Sequence, residues 1–391
     1  MWHAYNVRLF AIRQYGPIIH EFDPYFNYRA AEHLATHGMS NFFRWFDHLS
    51  WYPLGRPVGP TIYPGPQLAA VAVWRGLQAV PEAFCQTLDH LLHRLRQHWQ
   101  HTLPGDFWQL TFTHAWSLVE VCCYIPAWLG VVASIFVGLL AAECADSVSA
   151  GVVACYVMAL VPAHAQRSVG GGFDNEAVAV APMCAALYFW SRALRPHAPS
   201  APLSLRLPSF LFALLSGCSY AAMAASWGGY VFAVNVIAAH ALLLLFLSFG
   251  SSTASALYVP YSIFFLVGTA LASQVPVVGW TPVRSLEHII PVATFLLLQL
   301  LAVRAALQHR AGRMLALVVA AAAALSAAAG WAGMAAPASA RVRALFGAHA
   351  TRTGNPLVDS VSEHQPATSE AYDKYLQVTD SCLTYLILLH I

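Results

Sequence analysis

The sequence predicts an all-α protein that crosses a membrane many times. Three observations carry that prediction. Of the 391 residues, 58% are hydrophobic and 10% charged, with a mean hydropathy of +0.55, whereas a soluble domain carries about 25% charged residues. The apolar residues gather into nine runs close to the roughly 20 residues that a helix needs to cross a bilayer. The acidic residues that stand out lie at the edges of these runs, not within them.

The elements are taken in chain order. The opening "MWHAYNVRLFAIRQYGPIIHEFDPYF" lacks the apolar core of a cleaved leader. With Arg8 and Arg13 inside an apolar run too short to span, it reads as the tail of a first membrane helix. A long polar segment extends from His20 to about Ser117, so residues 1–117 form a clipped first span plus a long loop. In that loop "WYPLGRPVGPTIYPGP" (51–66) reads as an ordered, non-helical stretch, a platform at the membrane surface. In "LDHLLHRLRQHWQ", Leu88, Leu91, Leu92, Leu95 and Trp99 follow helical spacing with Arg94, Arg96 and histidines opposite, which describes a helix lying in the membrane interface. The spans are expected at 118–142, 148–165, 177–194, 208–225, 229–248, 258–275, 288–306, 314–336 and 375–391. Residues 118–336 thus form a multispan core, 337–374 a polar loop, and 375–391 a partial last span.

Each span changes sides. Counting spans places the first long segment, 166–176, 276–287 and 337–374 in one compartment. The opposite face has short loops with Arg192, Arg195 and Arg206 around one and Arg304, Arg310 and Arg313 around another, which marks it as cytosolic. The large polar segments then face a lumen or the exterior. A formal net charge of +2 with no basic tract gives no reason to expect nucleic acid. Eight cysteines without a CxxC pair indicate neither structural zinc nor a disulfide framework.

On the lumenal side four carboxylates stand out: Asp23 in "HEFDPYFNYR", Asp174 and Glu176 in "GGFDNEA", and Glu363 in "DSVSEHQP". Acidic groups at a bilayer edge are costly unless solvated, paired or coordinated. Their hard oxygens suit Mg²⁺ or Mn²⁺. Three of them have a plainer reading. Asp174 caps the helix that starts near Asn175, Asp23 stands before Pro24 at a helix start, and Glu363 is a solvated loop residue. Residues i and i+2 diverge by about 200° on a helix, so Asp174 and Glu176 can face one ion only from an irregular turn, for which Gly170, Gly171 and Gly172 provide freedom. Arg167, on the same side, either binds a phosphate or orients a carboxylate, or snorkels at the membrane edge.

Read together, "HEFDPYFNYRAAEHLATHG" (20–38), "WFDHLSWYPLGR" (45–56), "YPGP" (63–66), "RSVGGGFDNEAVA" (167–179), "SWGGYVF" (226–232), "GTALASQVPVVG" (268–279) with "EH" (287–288), and "NPLVDSVSEHQP" (355–366) resemble the STT3 family, the catalytic subunit of oligosaccharyltransferase. The resemblance implies a GT-C type glycosyltransferase membrane domain of about 9–10 spans in the endoplasmic reticulum membrane, with lumenal catalytic loops. It implies transfer of oligosaccharide from dolichyl diphosphate to the asparagine amide of Asn-X-Ser/Thr in acceptor polypeptides, assisted by Mn²⁺ or Mg²⁺, with membrane lipid and other oligosaccharyltransferase subunits as partners. Asp23, Asp174 and Glu176 would bind the metal. Asp23 and Glu363 would hold the acceptor amide, and Arg167 would serve catalysis. The family continues into a lumenal domain with a Trp-Trp-Asp-Tyr-Gly motif. This sequence contains no Trp-Trp-Asp, so a shortened form is expected, with an inactive paralogue or scaffold as the alternative and a transporter as a more distant one.

Overall fold

In the computed structural model, residues 2–99, 115–195, 203–247 and 251–307 are described. The chain begins with α1 (Trp2–Arg8), α2 (Phe10–Tyr15) and α3 (Phe22–Phe42), the last bent at Gly38. Two-residue strands β1 (Phe46–Asp47) and β2 (Arg56–Pro57) pair antiparallel. They lead into α4 (Val58–Thr61), α5 (Gly65–Ala79) and α6 (Glu82–Trp99). The stretch 51–66, expected to be non-helical, therefore holds a strand and one short helical turn. The bundle comes next: α7 (Leu118–Ala145), α8 (Val148–Leu160), α9 (Pro162–Arg167), α10 (Asn175–Ala193), α11 (Leu203–Ser226), α12 (Tyr230–Leu247), α13 (Ser251–Ala272), α14 (Thr281–Arg284) and α15 (Ile289–Leu307).

Seven of the nine expected spans fall on described helices, and 314–336 and 375–391 lie outside the described residues. Four described helices are long and apolar enough to cross a membrane: Leu118–Ala145, Leu207–Ser226, Tyr230–Leu247 and Leu286–Ala305. The expected span 148–165 is a correction. It breaks at Val161, whose ψ of 125° is extended, and restarts at Pro162. Proline disfavours helical geometry in the preceding residue and suits the first position of a new helix. The 13 residues of α8 reach about 20 Å, short of a full crossing.

Packing between the spans rests on close approach, since lipid offers no hydrophobic drive for apolar helices to leave it. The sequence puts glycines where helices meet. Gly138 of α7 faces Gly151 of α8, where a β-carbon on either would stand 2.7–2.8 Å from the other's carbonyl oxygen. A β-carbon on Gly217 of α11 would lie 3.2 Å from the backbone nitrogen of Gly268 on α13. The row α8–α7–α10–α11–α13 results. Trp190, Tyr220, Tyr261 and Phe264 fill its wider gaps with tilted and edge-on ring pairs.

The two ends of the bundle differ in chemistry. At one end Glu143 receives Arg192 at 3.0 Å and pairs with Arg195, tying the last turn of α7 to that of α10. At the other end lie α3, α5, the loop 168–174, the turn at Trp227–Gly229 and the segment before α15. Here a β-carbon on Gly65 would lie 2.8 Å from Ser226 Cα, and one on Gly228 2.9 Å from the Tyr63 hydroxyl. Asn235 donates to the Glu287 carbonyl at 2.8 Å. Three of the four segments that span counting assigns to one side, the first long one, 166–176 and 276–287, thus meet at one end of the described bundle, and 337–374 lies outside the described residues.

Asp47 anchors the strand pair at that end. It is 3% exposed, accepts both Arg29 Nε and Nη2 at 2.9 and 3.0 Å, and accepts the Ser50 hydroxyl at 2.7 Å and the Leu49 amide at 3.1 Å. Burial pushes its carboxyl up, but these hydrogen bonds and the Arg29 charge outweigh burial and hold it below the usual carboxylate range. A carboxyl depressed in the folded state contributes stability that is complete above its unfolded pKa, about 3.9, and is lost as pH falls through the folded value. Asp47→Ala is expected to cost about 2–3 kcal/mol, discounted because Arg29 is half-exposed. In hydrogen exchange, residues 46–57 of the wild-type protein should loosen only below about pH 4. In the variant they should be loose at neutral pH as well.

Candidate functional site

The loop 168–174 connects α9 to α10, and its backbone is bolted on three sides. Gly170 N–H donates to the Arg8 carbonyl at 2.7 Å, and Gly171 N–H to the Cys123 carbonyl of α7 at 2.9 Å. The Gly171 carbonyl accepts the His20 amide at 3.0 Å. Gly171 has φ +90°, which an L side chain rarely adopts, and a β-carbon there would run into the Ile18 carbonyl and the His20 ring. The stretch preceding α3 therefore lies directly against this loop.

The loop delivers Asp174 to the start of α10. With φ −102° and ψ 170°, Asp174 is extended and outside the helix, and its Oδ1 accepts the Asn175 amide at 2.7 Å. The capping reading of Asp174 holds. Glu176, one residue ahead of the apolar run 177–194, lies in the first helical turn. Because Asp174 is extended and outside the helix, the two side chains do not diverge as they would at i and i+2 of a regular helix, and the Asp174 charge acts on Glu176. Burial first, and the neighbouring Asp174 carboxylate second, push the Glu176 carboxyl above the usual range. Arg167, at the end of α9, is exposed and stands 3.9 Å from Asp174 Oδ2, an ion pair without a hydrogen bond. Capping and carboxylate pairing coexist in one turn.

Asp23 arrives from α3. The helix is entered through Glu21, whose φ is +67°, so Asp23 is a first-turn residue and not the cap. One turn on, Asn27 is buried and donates to the Phe173 carbonyl at 3.2 Å and to Asn175 Oδ1 at 3.4 Å. These bonds, with His20 to Gly171, lock the first acidic motif onto the second. Asp23 itself is exposed. Arg56 stands near it, its guanidinium 4.6 Å from the Phe26 ring and 4.9 Å from the Trp51 ring, with Nε donating to Thr61 Oγ1 at 3.2 Å. Burial lowers the Arg56 guanidinium from its ordinary value, and the Asp23 charge opposes that shift.

Asp23, Asp174, Glu176 and Arg167 thus share one end of the bundle, but the three carboxylates do not close on a common point. Among the described residues no group of three or more His, Cys, Asp and Glu side chains is close enough to hold a metal ion. Asp174 and Glu176 are paired, while Asp23 lies on the exposed first turn of α3 beside Arg56. Glu363 lies outside the described residues. Asn27, Gln67 and Arg56 were not singled out as site residues from the sequence, although Asn27 and Arg56 stand within the quoted motifs.

A family model described as "Oligosaccharyl transferase STT3, N-terminal" matches residues 1–385. The chain belongs to the STT3 family. Curated STT3 relatives include dolichyl-diphosphooligosaccharide–protein glycosyltransferase subunits from Caenorhabditis elegans (35% identical, over 95% of this chain and 44% of the relative) and Dictyostelium discoideum (34%, over 94% and 46%). The Saccharomyces cerevisiae subunit is 32% identical over 94% of this chain and 46% of its own length. The chain spans about half the length of these STT3 relatives. Among solved structures, the archaeal oligosaccharyltransferase AglB from Archaeoglobus fulgidus, in complex with an inhibitory peptide and a dolichol-phosphate, aligns with a TM-score of 0.51 at 16% identity. It covers 92% of this chain and 40% of AglB. That likeness bears out the helical fold expected for the chain, and four membrane-capable helices among the described residues of a chain of the STT3 family make it a multi-pass membrane protein. Family membership sets the transporter alternative aside.

Proposed function

We propose that this chain transfers oligosaccharide from dolichyl diphosphate to the side-chain amide of asparagine in Asn-X-Ser/Thr, at the lumenal face of the endoplasmic reticulum membrane. One observation carries the reading. A protein of the STT3 family brings two acidic motifs, far apart in sequence, into direct hydrogen-bonded contact at one end of its membrane bundle. The donor chemistry fits a divalent cation, because the hard carboxylates of Asp174 and Glu176 neighbour and repel each other and a cation relieves that repulsion. Asp174 and Glu176 would hold Mn²⁺ or Mg²⁺, with Asp23 contributing from α3. Bound there, the ion would offset charge building on the diphosphate leaving group.

The rest falls to the chain's own residues. An amide nitrogen is a poor nucleophile because its lone pair is delocalised. Carboxylates from Asp23 and Glu363 accept hydrogen bonds from the two amide N–H groups and favour a twisted, less conjugated amide. Arg167, exposed beside Asp174, would meet the phosphates. Arg56 would hold a positive charge near Asp23.

The test is transfer to an Asn-X-Thr peptide by the purified chain, together with complementation of a cell lacking this subunit. Transfer should stop in excess EDTA and return with Mn²⁺ or Mg²⁺. No transfer under any metal condition, with membrane insertion intact, would instead favour the scaffold reading. The residues relatives carry beyond the matched half would then be the next addition to try.

A further inference from the structure

Two buried amides link the acidic motifs, and the chemistry proposed for the site uses neither. Gln67, in the first turn of α5, is 0% exposed, and Asn27 of α3 is 4% exposed. Gln67 Nε2 donates to Asn27 Oδ1 at 2.9 Å. That bond fixes which edge of the Asn27 amide is carbonyl. Its Nδ2 is thereby aimed at the Phe173 carbonyl, 3.2 Å away, and at Asn175 Oδ1, 3.4 Å away. Phe173 is 0% exposed, and Asn175 sits between Asp174 and Glu176.

The direction of the chain matters more than its burial. Gln67 Oε1 has no hydrogen-bond partner, and a buried acceptor left unmade is destabilising. An apolar side chain of the same volume would fill the space without that penalty. What the glutamine adds is its donated bond, which orients Asn27. Asn27 in turn lies four residues after Asp23, on the same face of α3. The relay therefore runs from α5 through α3 to the backbone that carries the carboxylate pair.

We propose that Gln67 and Asn27 are positioning residues that set the Asp174–Glu176 pair against Asp23, and so tune the cation and acceptor half of the site. The positioning stands on the geometry, and its effect on cation binding rests on the function proposed above.

The test uses the whole chain in lipid nanodiscs, with Gln67→Met and Asn27→Leu. Hydrogen exchange is read over residues 170–176, with α7 and α11 as internal references. Both variants should speed exchange in 170–176 by about tenfold while the references stay unchanged. Unchanged exchange in 170–176 overturns the proposal. Mn²⁺ affinity is then measured by electron paramagnetic resonance in the same samples. Each variant should weaken binding on the order of 10–100-fold, the range for outer partners that orient metal ligands. In an Asp23→Asn background most of that effect should vanish, because there is no longer a third carboxylate to register against. An equal loss in both backgrounds overturns the proposal, since a merely structural role would add independently. If the wild-type chain binds no Mn²⁺, the cation reading of the site fails, and the exchange measurement alone decides the relay. Should Asn27→Leu not fold, Gln67→Met carries each comparison, because it leaves the Asn27 bonds to Phe173 and Asn175 available.

Discussion

Asp174→Asn is expected to lower glycan transfer on the order of 10²–10³-fold, the cost of removing one group that stabilises developing charge, while leaving the fold intact. The reason is geometric. Asp174 has two tasks, and asparagine keeps one of them. Its Oδ1 accepts the Asn175 amide at 2.7 Å, and asparagine and aspartate are equivalent at such a position. Thermal unfolding in detergent should therefore shift by no more than a few tenths of a kcal/mol. What disappears is the negative charge beside Glu176 and opposite Arg167. Glu176→Gln separates the tasks from the other side. It relieves two facing carboxylates, so the metal-free protein should melt at or above the wild-type temperature while transfer falls as steeply. Gain of stability with loss of activity is the signature of groups held together for chemistry rather than for folding. Both variants transferring at the wild-type rate, by peptide glycosylation with a dolichyl-diphosphate donor, would sink the assignment of the pair.

The pattern of what could be read from the sequence has a physical basis. The turn at Asp174 was legible because everything that shapes it is local: glycines, a capping side chain and the onset of an apolar run. The meeting of the motifs on one side came from counting spans, since a helix that crosses must come back. The relay was not legible. Asn27 and Phe173 are 146 residues apart, and Gln67 is 40 from Asn27, so only the packed bundle makes them neighbours. Arg56 escaped for the same reason, since its place between Phe26 and Trp51 is tertiary. The break in 148–165 is more instructive. Pro126, Pro182 and Pro260 lie inside helices without ending them, because neighbouring helices and local adjustments satisfy the freed carbonyls. Pro162 ends one helix and begins another. The difference lies in the chain just beyond Pro162, which must turn into the 168–174 loop as soon as the short helix α9 is complete.

That loop makes Gly171→Ala a severely damaging substitution. Three effects add. The residue has φ +90°, where a β-carbon costs about 1–2 kcal/mol. The added carbon meets the Ile18 carbonyl and stands 2.7 Å from His20 Nε2, and backbone on one side cannot step aside as a flexible side chain would. Rotation to relieve either contact would break a hydrogen bond, because Gly171 N–H is committed to Cys123 and its carbonyl to His20, at 2.9 and 3.0 Å. A loss of about 3 kcal/mol or more is expected, read as a lowered unfolding midpoint. Because the displaced partner is the stretch that leads into α3, Asp23 moves with it, and transfer should fall even in the fraction that stays folded. Gly172→Ala is the control. Its β-carbon would lie 3.2 Å from the Val169 carbonyl and 3.3 Å from a Val169 methyl, tight contacts but without a positive φ, so about 1 kcal/mol is expected. Equal losses at the two positions would mean that the loop is not bolted through Gly171. The contact between the two acidic motifs would then have to rest on Asn27 alone.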